Sequence, residues 1–354
     1  QESEKTNRKI EKEGIDMNKR ERFFSVLEGR RPDRIPTGFW MHFPPDAFFG
    51  DKAVETHLDY FEKTQTDICK VMTEHTYPCE GNINTAADWE QVRSYGSDAE
   101  FIQKQAEIIK RVVDRCPDGV MTATIHGVIA SASHALLGIP KYDSVGRYAQ
   151  LYHLRTNPQA VNDAYQRIAE TLCVLVRAAV AAGAEGIYYA ALGGESDGFT
   201  QEEHACYIAP LDKMIIRAAY EAGAEFVILH MCKPKVELKR FLDYPCDIVN
   251  WGVRESGITL AEGHRLFPDK VILGGLDNHQ GPLINGTEEE LNRAVGEVID
   301  SAGTARLILG SDCTLPGDLP YSRIAQVAWA SERYACRHFG ADVGQTGDEE
   351  MVIS

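Results

Sequence analysis

EAGAEFVILHMC (221–232) contains the two signals that decide the fold. Its first part ends a helical segment with Ala-Gly, and a glycine at that point is typical of a helix C-cap in the left-handed conformation. Its second part is a nearly continuous apolar run, without the alternation expected of a strand that has one face in water. A helix, a glycine and then a strand covered on both faces indicate a β/α unit of a parallel sheet.

The same junction occurs twice more in the chain. AAGAEGIYY (181–189) begins 40 residues before the quoted stretch, about one β/α unit, and SAGTARLIL (301–309) follows nearer the C-terminus. Apolar runs of this kind predict eight strands, at 35–40, 66–72, 120–127, 185–191, 225–232, 247–252, 270–277 and 306–313. Eight units in one chain favour a closed (β/α)8 TIM barrel, and a doubly wound open sheet is the alternative.

The chain reads as one domain with a polar extension in front of it. Residues 1–16 are polar and charged, so we expect a flexible extension and neither a signal peptide nor a membrane-spanning segment. MNKRERFFSVLEG (17–29) has apolar residues at helical spacing and is expected to cover the bottom of the barrel. No low-complexity linker divides residues 17–354, which predicts a single barrel domain.

Charge, cysteine content and missing motifs exclude several classes of function. The formal net charge of −16 argues against a nucleic-acid partner, because phosphate recognition needs clustered Lys and Arg. The nine cysteines are scattered and form no CxxC pair, so we expect a reducing cytoplasm and no disulfide framework. GxGxxG and GxxxxGK[ST] motifs do not occur, which argues against dinucleotide and phosphate-loop sites. The serines of GVIASASHALLG (127–138) form no GxSxG elbow, so serine-hydrolase chemistry is not expected there.

Active sites of (β/α)8 barrels lie at the C-terminal ends of the strands. Those positions hold acid-base and metal-binding residue types, with hardly any Lys or Arg. They are Trp40, His42, Glu74, His75, His126, Glu195, Asp197, His230, Cys232, Asn250, Asp277, Asn278, Asp312 and Cys313.

His230, Cys232 and Cys313 are the strongest candidates among them. His230 and Cys232 are two positions apart, so on a strand both side chains point the same way. Strands five and eight are not neighbours in a barrel, but their tops can meet across its mouth. One imidazole and two thiolates form a normal catalytic zinc set that leaves the fourth position for water or substrate. The alternative is a buried histidine and two unrelated buried cysteines.

The other candidates have structural explanations as well. Glu74 and His75 could supply a general base or a further ligand, or form a hydrogen-bonded pair. Glu195, on the Gly-rich loop LGGESDG (192–198), could be a fourth zinc ligand or part of a turn. Asp277 could position a substrate or cap the next helix. Substrate contacts are expected from Trp40, His42, His126, Glu195 and Asn250.

The chain resembles the uroporphyrinogen decarboxylase superfamily. The resemblance rests on MNKRERFFSVLEGRRPDRIP (17–36), GGLD (274–277) and the eight-unit spacing, and it covers nearly the whole chain from about Met17. True decarboxylases of this superfamily carry an arginine-rich segment after the first strand and a catalytic aspartate after the second. Here GFWMHFPP (38–45) contains no arginine, and Glu74 takes the place of the aspartate. Both departures argue against tetrapyrrole decarboxylation, because a substrate with many carboxylates lacks its charge partners.

The other branch of the superfamily is the zinc- and cobamide-dependent methyltransferases, of the methylcobalamin:coenzyme M type. Their zinc ligands form an HxC…C pattern that ends near the eighth strand, and His230, Cys232 and Cys313 match it in type, order and location. The resemblance implies Zn²⁺ as a cofactor, and transfer of a methyl group between a corrinoid protein and a thiol or other small acceptor. Glu74, His75 and Asp277 are then the candidate catalytic side chains.

The corrinoid is expected on a separate protein. DNHQG (277–281) is similar to the DxHxxG signature of corrinoid-binding domains only superficially, since it is one residue too short and ends a barrel strand. Related barrels often dimerise, so a homodimer is a further expectation. A cofactor-free decarboxylase and a non-catalytic binding barrel are the two alternative functions.

Overall fold

The computed structural model describes residues 17–136 and 144–339. The predicted extension (1–16) and the last part of the predicted domain (340–354) lie outside the described residues. Within them, eight parallel strands alternate with helices around a nearly closed barrel. This confirms the predicted (β/α)8 fold.

All eight strands lie inside their predicted runs. They are β1 Thr37–Gly38, β2 Ile68–Val71, β3 Val120–His126, β4 Gly186–Ala191, β5 Phe226–Met231, β6 Ile248–Trp251, β7 Val271–Leu276 and β8 Leu307–Ser311. Almost every strand residue is buried, because helices cover the outside of the sheet and side chains fill its inside. The open-sheet alternative is wrong, since β1 pairs with β8 and a backbone hydrogen bond at the start of β2 joins the other edge to β1.

The helices occupy the segments between the strands and cover the sheet. They are α1 Lys19–Leu27, α2 Gly50–Thr64, α3 Glu100–Val113, α4 Val128–Ala135, α5 Ser144–Thr156, α6 Pro158–Ala181, α7 Gln201–Glu203, α8 Ala209–Glu221, α9 Val253–Ser256, α10 Leu260–Leu266, α11 Pro282–Asn285, α12 Glu288–Ala302 and α13 Tyr321–His338. The glycines of the three Ala-Gly junctions, Gly183, Gly223 and Gly303, have φ values of 104°, 104° and 80°. These values confirm the predicted left-handed turns between helix and strand.

Helix α1 lies at the N-terminal end of the barrel, as predicted. The ring of Phe23 packs 4.7 Å from the ring of Phe226, the first residue of β5. Arg22 donates from Nη1 to Oδ1 of Asp67, just before β2, at 2.7 Å, and from Nε to Oδ1 of Asp33 at 2.6 Å. Arg34 adds a second cation, with Nη1 2.9 Å from Oδ2 of Asp67. The carboxylate of Asp67 has no exposed surface, so its charge is balanced entirely by these arginines and by hydrogen bonds.

The seam between β1 and β2 is closed differently from the others. The sheet runs β1-β8-β7-β6-β5-β4-β3-β2, and among the described residues β1 and β2 form no ladder with each other. One backbone bond joins Asp67 N to Thr37 O at 2.9 Å. The amide and hydroxyl of Thr37 donate to Oδ2 of Asp67 at 2.8 and 3.1 Å. A side-chain carboxylate therefore replaces part of a strand pairing at this seam.

Two further expectations can be compared with the structure. All nine cysteines are free, in agreement with the absence of a disulfide framework. Among the described residues, no helix combines the length and the apolar character needed to cross a membrane.

Candidate metal centre

His230, Cys232 and Cys313 come together at the C-terminal end of the barrel. His230 lies in β5, Cys232 directly follows β5, and Cys313 is two residues beyond the end of β8. Their ligand atoms all lie within 4.8 Å of one another. Sγ of Cys313 is 3.5 Å from Nε2 of His230, so the tops of strands five and eight meet across the mouth as predicted. This group could hold a metal ion.

Asn250 of β6 orients the ring of His230. Its Nδ2 donates to the backbone oxygens of Leu273 at 2.8 Å and Ser311 at 3.1 Å, which leaves Oδ1 as the acceptor. Oδ1 accepts from Nδ1 of His230 at 2.5 Å. The imidazole proton is therefore held on Nδ1, and the Nε2 lone pair faces Cys313 in the form that binds a metal. Asn250 is completely buried, and this position fits support of His230 better than the predicted substrate contact.

The two thiols have opposite tendencies to ionise. A hydrogen bond from Cys232 lowers the pKa of Cys313 well below the usual thiol value; burial opposes this, and His230 lowers the pKa further. The same hydrogen bond, together with burial, raises the pKa of Cys232. Cys313 is thus the thiol of the pair that ionises more readily. Two sulfur donors and a neutral imidazole nitrogen are the donor set that zinc prefers.

Two aromatic rings stand behind His230. The ring of Tyr188, in β4, stacks on the imidazole at 5.2 Å and an interplanar angle of 26°. Trp40 contacts Tyr188 edge-on at 4.7 Å, and both aromatic residues are almost fully buried. The predicted substrate residue Trp40 therefore belongs to the wall behind the candidate ligand. The sequence does not single out Tyr188, because it lies within an apolar run, three positions before the strand end.

A buried lysine near this wall was not predicted either. Lys70 of β2 is 3% exposed, and its ammonium lies 4.3 Å from the ring centre of Tyr188. Burial lowers the pKa of Lys70 to about 7, although the nearby charges of Glu74 and Cys313 favour its protonated form. Its signal in the sequence is a single Lys inside the apolar run TDICKVM (66–72), a run that by itself predicts only a strand.

His42 and Glu74 form a pair where β1 and β2 end. Nδ1 of His42 is 2.6 Å from Oε1 of Glu74, and the His42 side chain is 42% exposed while that of Glu74 is 8% exposed. The ring of His75 packs 4.5 Å from the ring of Phe49. The structure therefore joins two of the predicted residues, His42 and Glu74, in one hydrogen-bonded unit at the barrel mouth.

Glu195 does not belong to the three-residue group. Its Oε1 lies 2.5 Å from Nε of Arg147 in α5, and its Oε2 accepts from the amide of Gly193 at 2.9 Å. The loop that contains it is also tied to the segment after β5, by a bond from Ser196 N to Lys235 O at 3.0 Å. These contacts agree with a role in loop closure, which is the turn alternative, and give no support to a fourth ligand.

Asp277 caps the turn that follows β7. Its Oδ1 accepts from the amides of His279 at 2.8 Å and Gln280 at 3.3 Å, and its Oδ2 binds Nη1 of Arg254 at 2.9 Å. Burial alone would raise the pKa of Asp277, but the hydrogen bonds outweigh it and the pKa lies below the usual value. These contacts are those of a capping residue, which is the structural alternative for Asp277.

Two more strand-end residues lie at the same mouth. His126 ends β3 and its ring meets that of His134 edge-on at 5.7 Å. Asp312, next to Cys313, accepts from the amide of Arg254 at 3.2 Å, and burial raises its pKa to about 7. Its Oδ1 is buried without a hydrogen-bond partner in the described part of the chain.

Comparison of the fold with solved structures finds several similar barrels. A methyltransferase from Methanosarcina mazei aligns with a TM-score of 0.71 and 14% identity, over 90% of this chain and 99% of that one. A B12-independent methionine synthase from Shewanella sp. W3-18-1, in complex with selenomethionine, aligns with a TM-score of 0.58 and 11% identity, over 86% and 99%. A putative vitamin-B12 independent methionine synthase from Listeria monocytogenes gives 0.56 and 10%, over 85% and 98%. At these identities the likeness establishes the fold alone.

Comparison of the sequence gives a family. A search of curated proteins found no match. The model of the uroporphyrinogen decarboxylase (URO-D) family, however, matches residues 70–334, which include all three candidate metal ligands and most of the barrel. The chain belongs to the uroporphyrinogen decarboxylase family.

Proposed function

We propose that the chain is a zinc-dependent methyltransferase that moves a methyl group between a corrinoid protein and a thiol or other small acceptor. The observation that carries the proposal is the convergence of His230, Cys232 and Cys313, with Nε2 of the histidine aimed into the group. The HxC…C pattern of the sequence and the barrel shared with the Methanosarcina mazei methyltransferase support the same chemistry.

The three residues fit zinc in type and in number. Three protein ligands and one open position are the usual arrangement of catalytic zinc sites. With zinc bound at these residues, the chemistry supplied would be deprotonation of an acceptor thiol at neutral pH, so that it reacts as the thiolate. Asn250 would keep His230 in the binding tautomer throughout, since its own amide is held by two backbone oxygens.

The surrounding residues have separate tasks in this proposal. Tyr188 and Trp40 exclude water from the back of the site, because both are buried against His230 or against each other. Lys70 places positive charge near the thiolates. The His42–Glu74 pair is partly open to solvent and is our candidate for carrying the acceptor proton away from the mouth.

The decarboxylase alternative is not favoured. Binding of a substrate with many carboxylates needs several cations directed at it, and Arg is the residue type suited to that task. Residues 39–45, which follow β1, contain no Arg, and Trp40, Met41 and Phe43 are buried apolar side chains. The mouth thus lacks at this position the charges that a tetrapyrrole acid would require.

Metal analysis of the purified chain tests the proposal. We expect about one zinc per chain, as in other sites with three protein ligands, and its loss in Cys232→Ser. Cys246→Ser is the matched control, because Cys246 is also buried but lies outside the three-residue group. A chain without zinc after growth in zinc-supplemented medium, or a Cys232→Ser variant that keeps its zinc, contradicts the proposal.

Methyl transfer itself is measured with free methylcobalamin and a small thiol in place of the natural partners. The methyl group leaves cobalt without its bonding electrons and forms a carbon–sulfur bond, the cobalt is left as Co(I), and the thiol proton goes to solvent. We expect loss of the methylcobalamin absorbance that depends on both the thiol and the intact zinc site. Equal rates with the wild-type chain and Cys232→Ser would contradict a catalytic role of the metal.

A further inference from the structure

A polar cavity lies on the outside of the barrel, apart from the candidate metal centre. It is bounded by the π-helical turn His204–Ile208, the start of α8 and the segment 238–243, and its volume is about 590 Å³. None of the residues that line it belongs to the candidate metal centre. The cavity is therefore a separate feature that the proposed methyl transfer does not use.

Positive charge is concentrated in this cavity. Its lining contains four cationic side chains, Lys213, Arg217, Lys239 and Arg240, and a single carboxylate, that of Asp243. On a chain whose net charge is −16, such a cluster is a marked local reversal. Like charges gathered at one place repel one another, so an anion bound among them would be stabilised.

Two of the four cations are already neutralised. Lys213 forms an ion pair with Asp243. Arg240 is buried, and donates from Nε to Glu237 at 2.6 Å and from Nη1 to the backbone oxygen of Phe199 at 2.7 Å.

Arg217 and Lys239 remain available for a ligand. Both side chains are exposed, and neither has a hydrogen bond or an ion pair within the described ranges. They supply two free charges on opposite elements of the cavity, since Arg217 lies in α8 and Lys239 in the segment after β5.

A buried histidine completes the cavity. His204 is 1% exposed, and its ring packs against Phe241 at 5.2 Å. Its Nε2 has no hydrogen-bond partner in the part of the chain that the structure describes. Burial, together with the charges of Arg240 and Lys213, lowers the pKa of His204 to about 4, so the ring is neutral at pH 7. A buried polar nitrogen without a partner costs free energy, which a ligand oxygen would recover.

We propose that this cavity binds a small anion of the phosphate class, either a phosphate ester or a diphosphate. The guanidinium of Arg217 and the ammonium of Lys239 bind the phosphate oxygens, and Nε2 of His204 donates a hydrogen bond from below. A phosphate group offers several charged oxygens in different directions, which suits cations on two elements and a recessed imidazole. The carboxylate of an acidic partner protein presents only two oxygens, and the recessed position of His204 favours the small ligand over such a surface.

Calorimetric titration of the full chain with pyrophosphate and with inorganic phosphate, at low salt and pH 7, tests the proposal. We expect saturable binding of one pyrophosphate per chain, and weaker binding of phosphate because it carries less charge. Arg217→Gln combined with Lys239→Gln should weaken pyrophosphate binding at least about tenfold, since two charge-assisted contacts are lost. His204→Phe should weaken it about tenfold, the effect of losing one hydrogen bond to a charged acceptor.

The control is the pair Arg265→Gln and Lys52→Gln, which removes the same total charge from exposed positions elsewhere on the chain. Unchanged affinity in this control assigns the binding to the cavity. Thermal unfolding of each variant verifies that it is folded. Three results overturn the proposal: no saturable binding at millimolar pyrophosphate, an equal loss in the control pair, or full binding by the Arg217 and Lys239 double variant.

Discussion

The two ends of the barrel differ in how their buried charged groups are matched by opposite charges. At the N-terminal end, the carboxylate of Asp67 is matched by Arg22 and Arg34. At the C-terminal end, Lys70 is buried against aromatic rings and Asp312 has a buried oxygen without a partner in the described chain. The pKa values of both groups are moved to about 7 by burial. The difference teaches that buried charge at the N-terminal end is matched and stabilises the fold, whereas burial at the C-terminal end shifts pKa values in the way that is common at functional sites.

The largest effect on stability is expected when the ion-pair network at the N-terminal end of the barrel is disrupted. Asp67→Ala removes one partner of a buried network and leaves Arg22 and Arg34 without their shared carboxylate. We expect the free energy of unfolding to fall by about 3–5 kcal/mol in urea denaturation, because an uncompensated buried charge remains. Asp59→Ala, whose carboxylate pairs with Lys63 on the exposed face of α2, serves as the control and should unfold like the wild-type chain. Zinc content of folded Asp67→Ala should be unchanged, and a joint loss of zinc would mean that the two ends are not independent.

The next effect concerns the buried Lys70 at the C-terminal end of the barrel. The pKa of Lys70 is about 7 in the folded chain and 10.5 as the ordinary value, so the unfolded chain binds more protons between these limits. The Lys70 contribution to the free energy of unfolding therefore rises with pH, by on the order of 3 kcal/mol between pH 7 and pH 10. Lys70→Met removes this contribution, and the stability of the wild-type chain relative to the variant should increase over that interval. Parallel curves for the two proteins, both measured without metal, would show that the ammonium is not buried as described.

A smaller effect is expected behind the candidate ligand. Asn250→Ala frees the ring of His230 to rotate and to change tautomer, and zinc affinity should fall about 10- to 100-fold in a competition titration with a chelator. Ser331→Ala is the matched control, because it also removes a buried hydrogen bond, from Ser331 Oγ to the backbone oxygen of Ile35. Equal zinc affinity of the two variants would remove the role assigned to Asn250.

The smallest effect is expected from an ion pair at the rim of the mouth. Lys235 binds Asp197 at 2.7 Å, and both side chains are well exposed. Solvent screens such a pair, so Lys235→Ala should change neither the thermal unfolding midpoint nor the zinc content measurably. A clear fall in either quantity would show that the loops after β4 and β5 position the metal ligands.

The sequence predicts the strands well because parallel strands covered on both faces must be apolar along most of their length. The eight runs therefore stand out, and the period of two places His230 and Cys232 on one side. The weakest prediction is 35–40, of which only Thr37–Gly38 is a strand. Here Pro36 has no amide hydrogen to donate, so it cannot take part fully in a ladder.

The parts of the site that the sequence does not predict depend on contacts between distant residues. The role of Asn250 follows only from backbone oxygens of β7 and β8, and the engagement of Glu195 follows from Arg147 on another element. A local sequence pattern cannot reveal these hydrogen-bond and ion-pair partners, because they are distant in the chain. Lys70 is different, because its isolated charge within an apolar run was visible. A lysine inside a buried strand is itself a reason to suspect a functional site, since Lys is almost never fully buried unless it is paired.

The seam between β1 and β2 is the place where the barrel opens locally at the lowest free-energy cost. Other neighbouring strands are joined by backbone ladders. At this seam, side-chain hydrogen bonds join the strands instead, between Asp67 and Thr37 at the N-terminal end and between His42 and Glu74 at the C-terminal end. At the mouth, parting the two strands breaks few backbone bonds, so local opening costs least at that end, while the Asp67 network holds the other end of the seam closed. The circumference of the mouth can thus widen on one side while β5 and β8, which carry the three candidate ligands, stay in register with their neighbours.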